Sequence, residues 1–338
     1  MFHFCTFFDR HYIIRGLALY RSLVQHADPF VLWVLCFDDP SYDTLSTLNL
    51  PNLRPISLHE FEAGDTALLE AKKNRSQVEY YFTCTPSLLL YLFARFPQVD
   101  LLTYLDADLF FFSSPEPIYQ ELGEDSILIV GHRFPERLRH LEKFGIYNVG
   151  LLAFRNDLYG RECLRWWRKR CLEWCYDRVE EGRFADQKYL DEWPSRFRSV
   201  VVLQHKGAGL APWNLADRRM RVSNEQLTVD NGRLVFFHFH GLKELKRWLY
   251  DPGLAPYRAP TDRLVKRHIY GPYIRELREV ADRLSSVVDR PRIKAGSIRV
   301  GAKGGIFHTI ARNIINQLST AKMLMRRQLF VMIGERIL

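Results

Sequence analysis

An α/β protein with a mainly parallel sheet between layers of helix is predicted by three features of the sequence. Apolar runs alternate with amphipathic stretches up to about residue 241, the rhythm of strand–helix–strand units. The runs are continuous rather than alternating, as strands buried on both faces require. One of them, residues 99–105, stops on Asp106-Ala107-Asp108, two carboxylates at the end of an apolar strand.

The elements follow in order. Residues 2–8 read as the first strand. Ile13, Leu17, Tyr20 and Val24 then share one helical face. Residues 30–37 form an apolar run closed by Asp38-Asp39-Pro40, residues 83–96 suit a helix, and residues 99–105 lead into the carboxylates. Further strands are expected at 126–130, 149–154, 200–204 and 234–240, with a long helix rich in Trp and Arg at 158–178. After Trp248 the pattern breaks at Asp251-Pro252-Gly253, Pro256 and Pro260. An amphipathic helix is expected over 268–288, then a Gly/Lys/Arg-rich hinge over 290–305. A final basic segment, 306–338, reads as a helix that packs on the body or lies on an anionic membrane surface.

With 338 residues, 47% hydrophobic and 14% aromatic, the chain can bury a large core, and disorder of the whole is excluded. Residues 242–338 hold 20 Lys/Arg against 8 Asp/Glu, a surplus of +12, and the first 241 residues come to −3. A near-neutral body with a basic end differs from a uniformly basic nucleic-acid binder. Cys5, Cys36, Cys84, Cys163, Cys171 and Cys175 form no Cys-x-x-Cys pair and read as reduced core residues of a cytosolic protein. Met1 leads straight into the first strand without a basic leader. No stretch reaches the roughly 20 apolar residues of a membrane span. The expected location is therefore the cytoplasm, with peripheral attachment to the inner membrane face.

Two ionised carboxylates at a buried strand end need a compensating cation, because burying them alone costs several kcal/mol. Ligands also gather at the carboxyl ends of strands in open α/β sheets. A divalent metal bound to an anionic group such as a nucleotide diphosphate fits both conditions. The plainer alternative is a helix cap plus a solvated loop aspartate.

Asp106-Ala107-Asp108 has companions. Thr6-Phe7-Phe8-Asp9 with Tyr12, Tyr104-Leu105 before the carboxylates, Tyr147-Asn148-Val149-Gly150, Asp186-Gln187 and His238-Phe239-His240-Gly241 occur in that order. Together they resemble the GT-A glycosyltransferases, most closely the retaining glycosyltransferase family 8, the glycogenin and bacterial lipopolysaccharide galactosyl- and glucosyltransferase group. The resemblance spans roughly residues 2–248. It implies a Rossmann-like GT-A catalytic domain over 1–250, binding a nucleotide sugar, followed by a basic helical extension over 251–338.

The resemblance also implies roles. Asp106, Asp108 and His238 would hold Mn²⁺, with Mg²⁺ the second choice, and His240 would be an alternative or supporting ligand. Thr6, Asp9 and Tyr12 would take the base and ribose of a UDP-sugar. Asp106, Gly150 and Gly241 would line the rest of the donor site. Asn148, Asp186 and Gln187 would face the anomeric carbon and the incoming hydroxyl of a glycan or glycolipid acceptor. Pro212-Trp213-Asn214 would lie toward the acceptor.

Two departures stand out. The Lys-Pro-Trp that usually follows the last motif is replaced by Leu242-Lys243-Glu244-Leu245-Lys246-Arg247-Trp248, leaving Lys243 or Lys246 for the diphosphate. The arginine expected on the helix before the metal motif is replaced by Thr83, Thr85 and Ser87, with Lys72, Lys73 and Arg75 upstream.

Two other functions compete. A sugar-phosphate nucleotidyltransferase would show a glycine-rich basic loop after the first strand, whereas Phe7-Phe8-Asp9-Arg10-His11 has no glycine. A basic nucleic-acid-binding protein would spread its charge over a recognisable module. The expectation is a metal-dependent glycosyltransferase with no nucleic-acid partner.

Overall fold

The computed structural model describes residues 1–223, 226–287 and 328–338. The chain opens with β1 (Phe2–Phe8), α1 (Ile13–His26), β2 (Phe30–Cys36), α2 (Asp39–Leu48), β3 (Leu53–Ser57), α3 (Leu58–Glu62), α4 (Thr66–Lys72) and α5 (Gln77–Arg95). Next come β4 (Leu101–Leu105), β5 (Leu109–Phe111), α6 (Glu116–Leu122), β6 (Ile127–Gly131), β7 (Tyr147–Arg155), α7 (Leu158–Glu173), α8 (Trp193–Arg196) and β8 (Val200–Val202). Short strands follow: β9 (Met220–Ser223), β10 (Gln226–Val229), β11 (Gly232–Arg233), β12 (Phe236–His238), β13 (Lys243–Lys246) and β14 (Leu249–Asp251). Then come α9 (Gly271–Val287), β15 (Phe330–Ile333) and β16 (Arg336–Ile337).

Seven strands form the central sheet in the order β3-β2-β1-β4-β7-β6-β8. The strands pair in parallel except β7, which is antiparallel to both its neighbours. Continuous apolar runs supply both faces, because successive side chains of a strand point to opposite sides. Phe4, Phe8, Leu32, Val34 and Leu105 pack toward α1 and α9. Cys5, Trp33, Leu35, Leu102 and Tyr104 pack toward α5 and α7. All six cysteines are buried and free, as the reduced-core reading requires.

Local chemistry sets several boundaries. Asp38 caps α2, its carboxylate accepting from the Ser41 N–H at 3.0 Å. A reciprocal Ser76–Glu79 capping box starts α5 six residues before the expected 83. The helix expected over 158–178 ends at Glu173, where Trp174 turns extended. The edge strand β3 escapes the sequence pattern because it contains Pro55, which a sheet tolerates only at an edge.

The end of the chain departs from the helix expected there. Phe330–Ile333 and Arg336–Ile337 are strands of a four-stranded sheet ordered β13-β14-β15-β16. Leu329-Phe330-Val331-Met332-Ile333 is a short apolar run closed by Gly334, a strand signature that basic composition masks. Phe330 is fully buried, with Tyr270 edge-on to its ring. The hinge expected over 290–305 and most of 306–338 lie outside the described residues. The helix expected over 268–288 is α9, entered through one turn of π-helix, Val265–Tyr270. It packs on α1, where Arg21 pairs with Glu276 and Glu279. Because β14 straddles residue 250 and pairs with β15, the described parts of the C-terminal segment are packed into the body.

Candidate active site

The strand order explains how residues 130 positions apart meet. The chain leaves β4 at Asp106, turns through Asp108 and enters β5, which pairs antiparallel with β12 so that Leu109 lies opposite His238. The Phe239 N–H then donates to the Asp108 carbonyl at 2.9 Å. On the other side the Asp106 N–H donates to the Gly150 carbonyl of β7 at 2.8 Å. Asp106 and Asp108 therefore sit in the turn between β4 and β5, and His238 ends β12 beside them.

Their side chains converge. His238 Nε2 is 3.1 Å from Asp108 Oδ1 and 3.6 Å from Asp106 Oδ2. One ligand atom from each residue lies within 4.8 Å of the other two, and this is the one such group of metal-binding side chains among the described residues. Asn148 settles the orientation. Its Oδ1 accepts from the Gly150 N–H at 2.9 Å and lies 3.3 Å from His238 Nδ1, while its Nδ2 donates to Gln187 Oε1 at 3.2 Å. With an acceptor facing Nδ1, that nitrogen carries a proton in either charge state, so the charged ring donates through Nε2 to Asp108 and the neutral ring turns the Nε2 lone pair toward the carboxylates. Two carboxylate oxygens and an imidazole nitrogen with no proton between them form a donor set that fits Mn²⁺ or Mg²⁺.

Without a cation the imidazole does part of that work. Burial opposes charging His238, but Asp108 and then Asp106 outweigh it and raise its pKa. Burial would push Asp108 up, yet His238, followed by Arg15, holds it well below the ordinary carboxylate value. The Tyr104 hydroxyl donates to Asp106 Oδ1 at 2.8 Å and orients the first carboxylate. Tyr104 belongs to the metal motif itself, and Arg15 is a supporting residue that the motifs do not single out. The signal for Arg15 was present: a single charge inside Ile13-Ile14-Arg15-Gly16-Leu17-Ala18-Leu19.

Gly150 has a specific reason to be glycine. A Cβ there would lie 2.5 Å from Asn148 Oδ1 and 2.8 Å from His238 Nδ1, so the missing side chain is the space the imidazole occupies.

Asp186 and Gln187 join the same group from behind. Gln187 is pinned by the Phe144 carbonyl, 3.0 Å from its Nε2, and by Asn148. Asp186 is 4% exposed; Thr85, on the helix that lacks the expected arginine, donates to it at 2.8 Å. It is not the cap of a following helix, since Gln187 holds that position without a side-chain bond. Arg75 is committed elsewhere, donating to the Leu172 carbonyl and lying over Tyr176.

Burial raises the Asp186 pKa to about 7; the Thr85 hydroxyl opposes this and the Asp106 charge adds to it. The unfolded carboxyl titrates near ~3.9. Between about pH 4 and pH 7 the native state thus holds a proton the unfolded chain has lost, and stability falls as pH rises through that window. Asp186→Asn should therefore be more stable than the wild type at pH 8, by a margin on the order of 4 kcal/mol and with a higher melting temperature, and match it near pH 4. Thermal melts at both pH values check this; an offset independent of pH would refute it.

Thr6 and Asp9, which the resemblance assigns to the nucleoside, lie on β1 and just after it, at one end of the site. Asp9 accepts from the His11 N–H at 2.9 Å and from the Tyr81 hydroxyl at 3.1 Å. Thr6 is buried and its Oγ1 has no hydrogen-bond partner. Tyr12 links the two ends. Burial raises its phenol pKa, Arg15 opposes this, and Asp108, Asp106 and Asp9 reinforce it.

Across the site Trp213 is buried against three imidazoles, with centroids 5.1 Å from His132, 5.4 Å from His238 and 5.6 Å from His240. Asn214 secures that wall by donating to the carbonyls of His132 and Gly209. His240 is exposed, its ring centroid 5.9 Å from that of His238. Gly241 makes the turn beyond it at φ +78°. Lys243 and Lys246 are exposed on β13, and Lys246 Nζ lies 5.5 Å from the centre of the Trp248 ring.

The strand order, the single reversed strand and the acidic turn at the end of β4 define a GT-A fold with a carboxylate–imidazole centre. The fold is similar to that of the galactosyltransferase LgtC in complex with donor and acceptor sugar analogs, with a TM-score of 0.51 and 15% identity over 86% of this chain and 98% of that one. No family model matches the chain. It is 31% identical over 288 residues to the uncharacterized protein YfnD of Bacillus subtilis (strain 168), spanning 84% of this chain and 91% of YfnD. It is also 31% identical to YfnF of the same organism, over 71% of this chain and 81% of YfnF. The chain belongs to the family of YfnD and YfnF.

Proposed function

We propose that the chain is a metal-dependent glycosyltransferase that moves a sugar from a nucleoside-diphosphate donor, a UDP-sugar foremost, to a glycan or glycolipid acceptor with retention of configuration. The reading places it in the synthesis of cell-surface polysaccharide or lipopolysaccharide. The convergence of Asp106, Asp108 and His238 at the carboxyl end of β4 carries this reading. When bound there, Mn²⁺ or Mg²⁺ supplies Lewis acidity toward the leaving diphosphate.

The chain's own residues do the rest. Asp106, Asp108 and His238 hold the ion, and Asn148 keeps the His238 lone pair turned toward it. Tyr12 stacks on the base, Asp9 and Thr6 take polar groups of the nucleoside, and Lys243 or Lys246 meets the diphosphate beside Gly241. Asp186 and Gln187 stand behind Asn148 and Gly150, on the side assigned to the anomeric carbon. The surplus of +12 over residues 242–338 supports attachment to an anionic membrane surface. Among the described residues no helix is long and apolar enough to cross a membrane.

A panel of nucleotide sugars tested by thermal shift with Mn²⁺, and by release of nucleoside diphosphate on adding acceptor, tests the reading. At least one donor should raise the melting temperature in Mn²⁺ and not in EDTA. Absence of any metal-dependent shift and of any diphosphate release would refute it.

A further inference from the structure

We infer that Arg15, on α1, is a positioning residue for the metal-binding carboxylate of Asp108 and for the turn that follows His238; the inference rests on the metal-dependent reading above. A guanidinium taken out of water is costly unless it is paired and hydrogen-bonded, and Arg15 is 5% exposed. Its contacts come from three places. Nη2 donates to the Leu242 carbonyl, Nη1 lies 3.8 Å from Asp108 Oδ2, and the guanidinium carbon sits 4.8 Å from the centre of the Tyr12 ring.

The two oxygens of Asp108 are thereby distinguished. Oδ1 faces the His238 imidazole at 3.1 Å and Oδ2 faces Arg15. At 3.8 Å the second contact is an electrostatic attraction rather than a hydrogen bond, enough to bias the rotation of a short side chain. The same guanidinium ties down Leu242, the residue after Gly241, and so fixes where the chain goes after β12. α9 closes the group: Tyr273 stacks on Phe239 with centroids 3.8 Å apart, and Phe239 is the residue whose N–H holds the Asp108 backbone. A planar fork can address a carboxylate and a carbonyl in one fixed geometry, whereas an ammonium on a flexible stem cannot. The geometry of Arg15, beyond its charge, is what the site uses.

The test compares full-length wild type, Arg15→Lys and Arg15→Met by direct Mn²⁺ titration, with free Mn²⁺ read by its paramagnetic resonance, and by melting in EDTA. Arg15→Lys should bind Mn²⁺ roughly 10-fold or more weaker than wild type, as for loss of a group that orients a ligand, and Arg15→Met weaker still. Should Arg15→Met fail to fold, Arg15→Lys decides alone. Wild-type affinity in Arg15→Lys, or tighter binding in Arg15→Met, would mean that Arg15 contributes charge alone and would overturn the inference. A lowered melting temperature with unchanged Mn²⁺ affinity would make it a structural pillar and overturn it equally. A wild-type chain that binds no Mn²⁺ would overturn the metal-dependent function itself, and this inference with it.

Discussion

Asp108→Ala should eliminate the Mn²⁺-dependent rise in melting temperature and lower transfer by more than about 100-fold, the upper end for losing a group that merely orients a ligand. It should also destabilise the fold. Asp108 is the carboxylate nearest Arg15 and His238, and removing one partner of a buried ion pair costs about 3–5 kcal/mol. Asp108→Asn separates the two effects. It keeps the shape and an acceptor for Arg15 but loses the ligand charge, so it should melt closer to wild type in EDTA while losing transfer as fully as the alanine variant. Melts with and without Mn²⁺, alongside nucleoside-diphosphate release, check both. Full activity in either variant would remove Asp108 from the metal site.

Gly150→Ala should be nearly as damaging, although it adds one methyl group. The new Cβ would fall 2.5 Å from Asn148 Oδ1 and 2.8 Å from His238 Nδ1, distances that real carbon atoms do not tolerate. Asn148 is bonded to Gln187, and His238 is buried against Trp213, so neither yields freely. Overpacking of this kind costs about 1–3 kcal/mol. Displacing the imidazole should weaken Mn²⁺ binding by roughly 10–100-fold. Mn²⁺ titration is the direct check. Stability loss with unchanged Mn²⁺ affinity would show that Asn148 alone moves and that His238 is not a ligand.

How much of this was legible in the sequence depends on the range of the interaction. Asp106 and Asp108 are one residue apart in the chain and interrupt an apolar run, so the cost of burying them announces the site. The central strands were equally readable, because runs such as residues 30–37 have one pattern and one explanation. His238 needed the family resemblance, since a histidine in an apolar strand is ambiguous until its neighbour across the sheet is known. The pairing of β12 with β5, which sets Leu109 opposite His238, is a matter of register between segments over a hundred residues apart.

Asn148 illustrates the same limit. It stood out as a residue near the sugar, but its bond to the His238 imidazole depends on the absent Gly150 side chain and on β7 being the reversed strand. Arg15 was hidden because a helix read for its apolar face discards the charge within it. The closing strands are hidden for a different reason: the basic composition of the last 33 residues masks the strand pattern of the five apolar residues before Gly334.

The antiparallel hairpin at the end of the chain constrains any experiment on the basic segment. Trimming everything beyond about residue 300 to probe liposome binding would also take away Phe330, whose strand completes the layer against β14 and Tyr270. Loss of sedimentation could then report a collapsed domain in place of a missing lipid contact. Charge-reversing substitutions that spare Leu329 onward would keep this closing clasp fastened and leave electrostatics as the one variable changed.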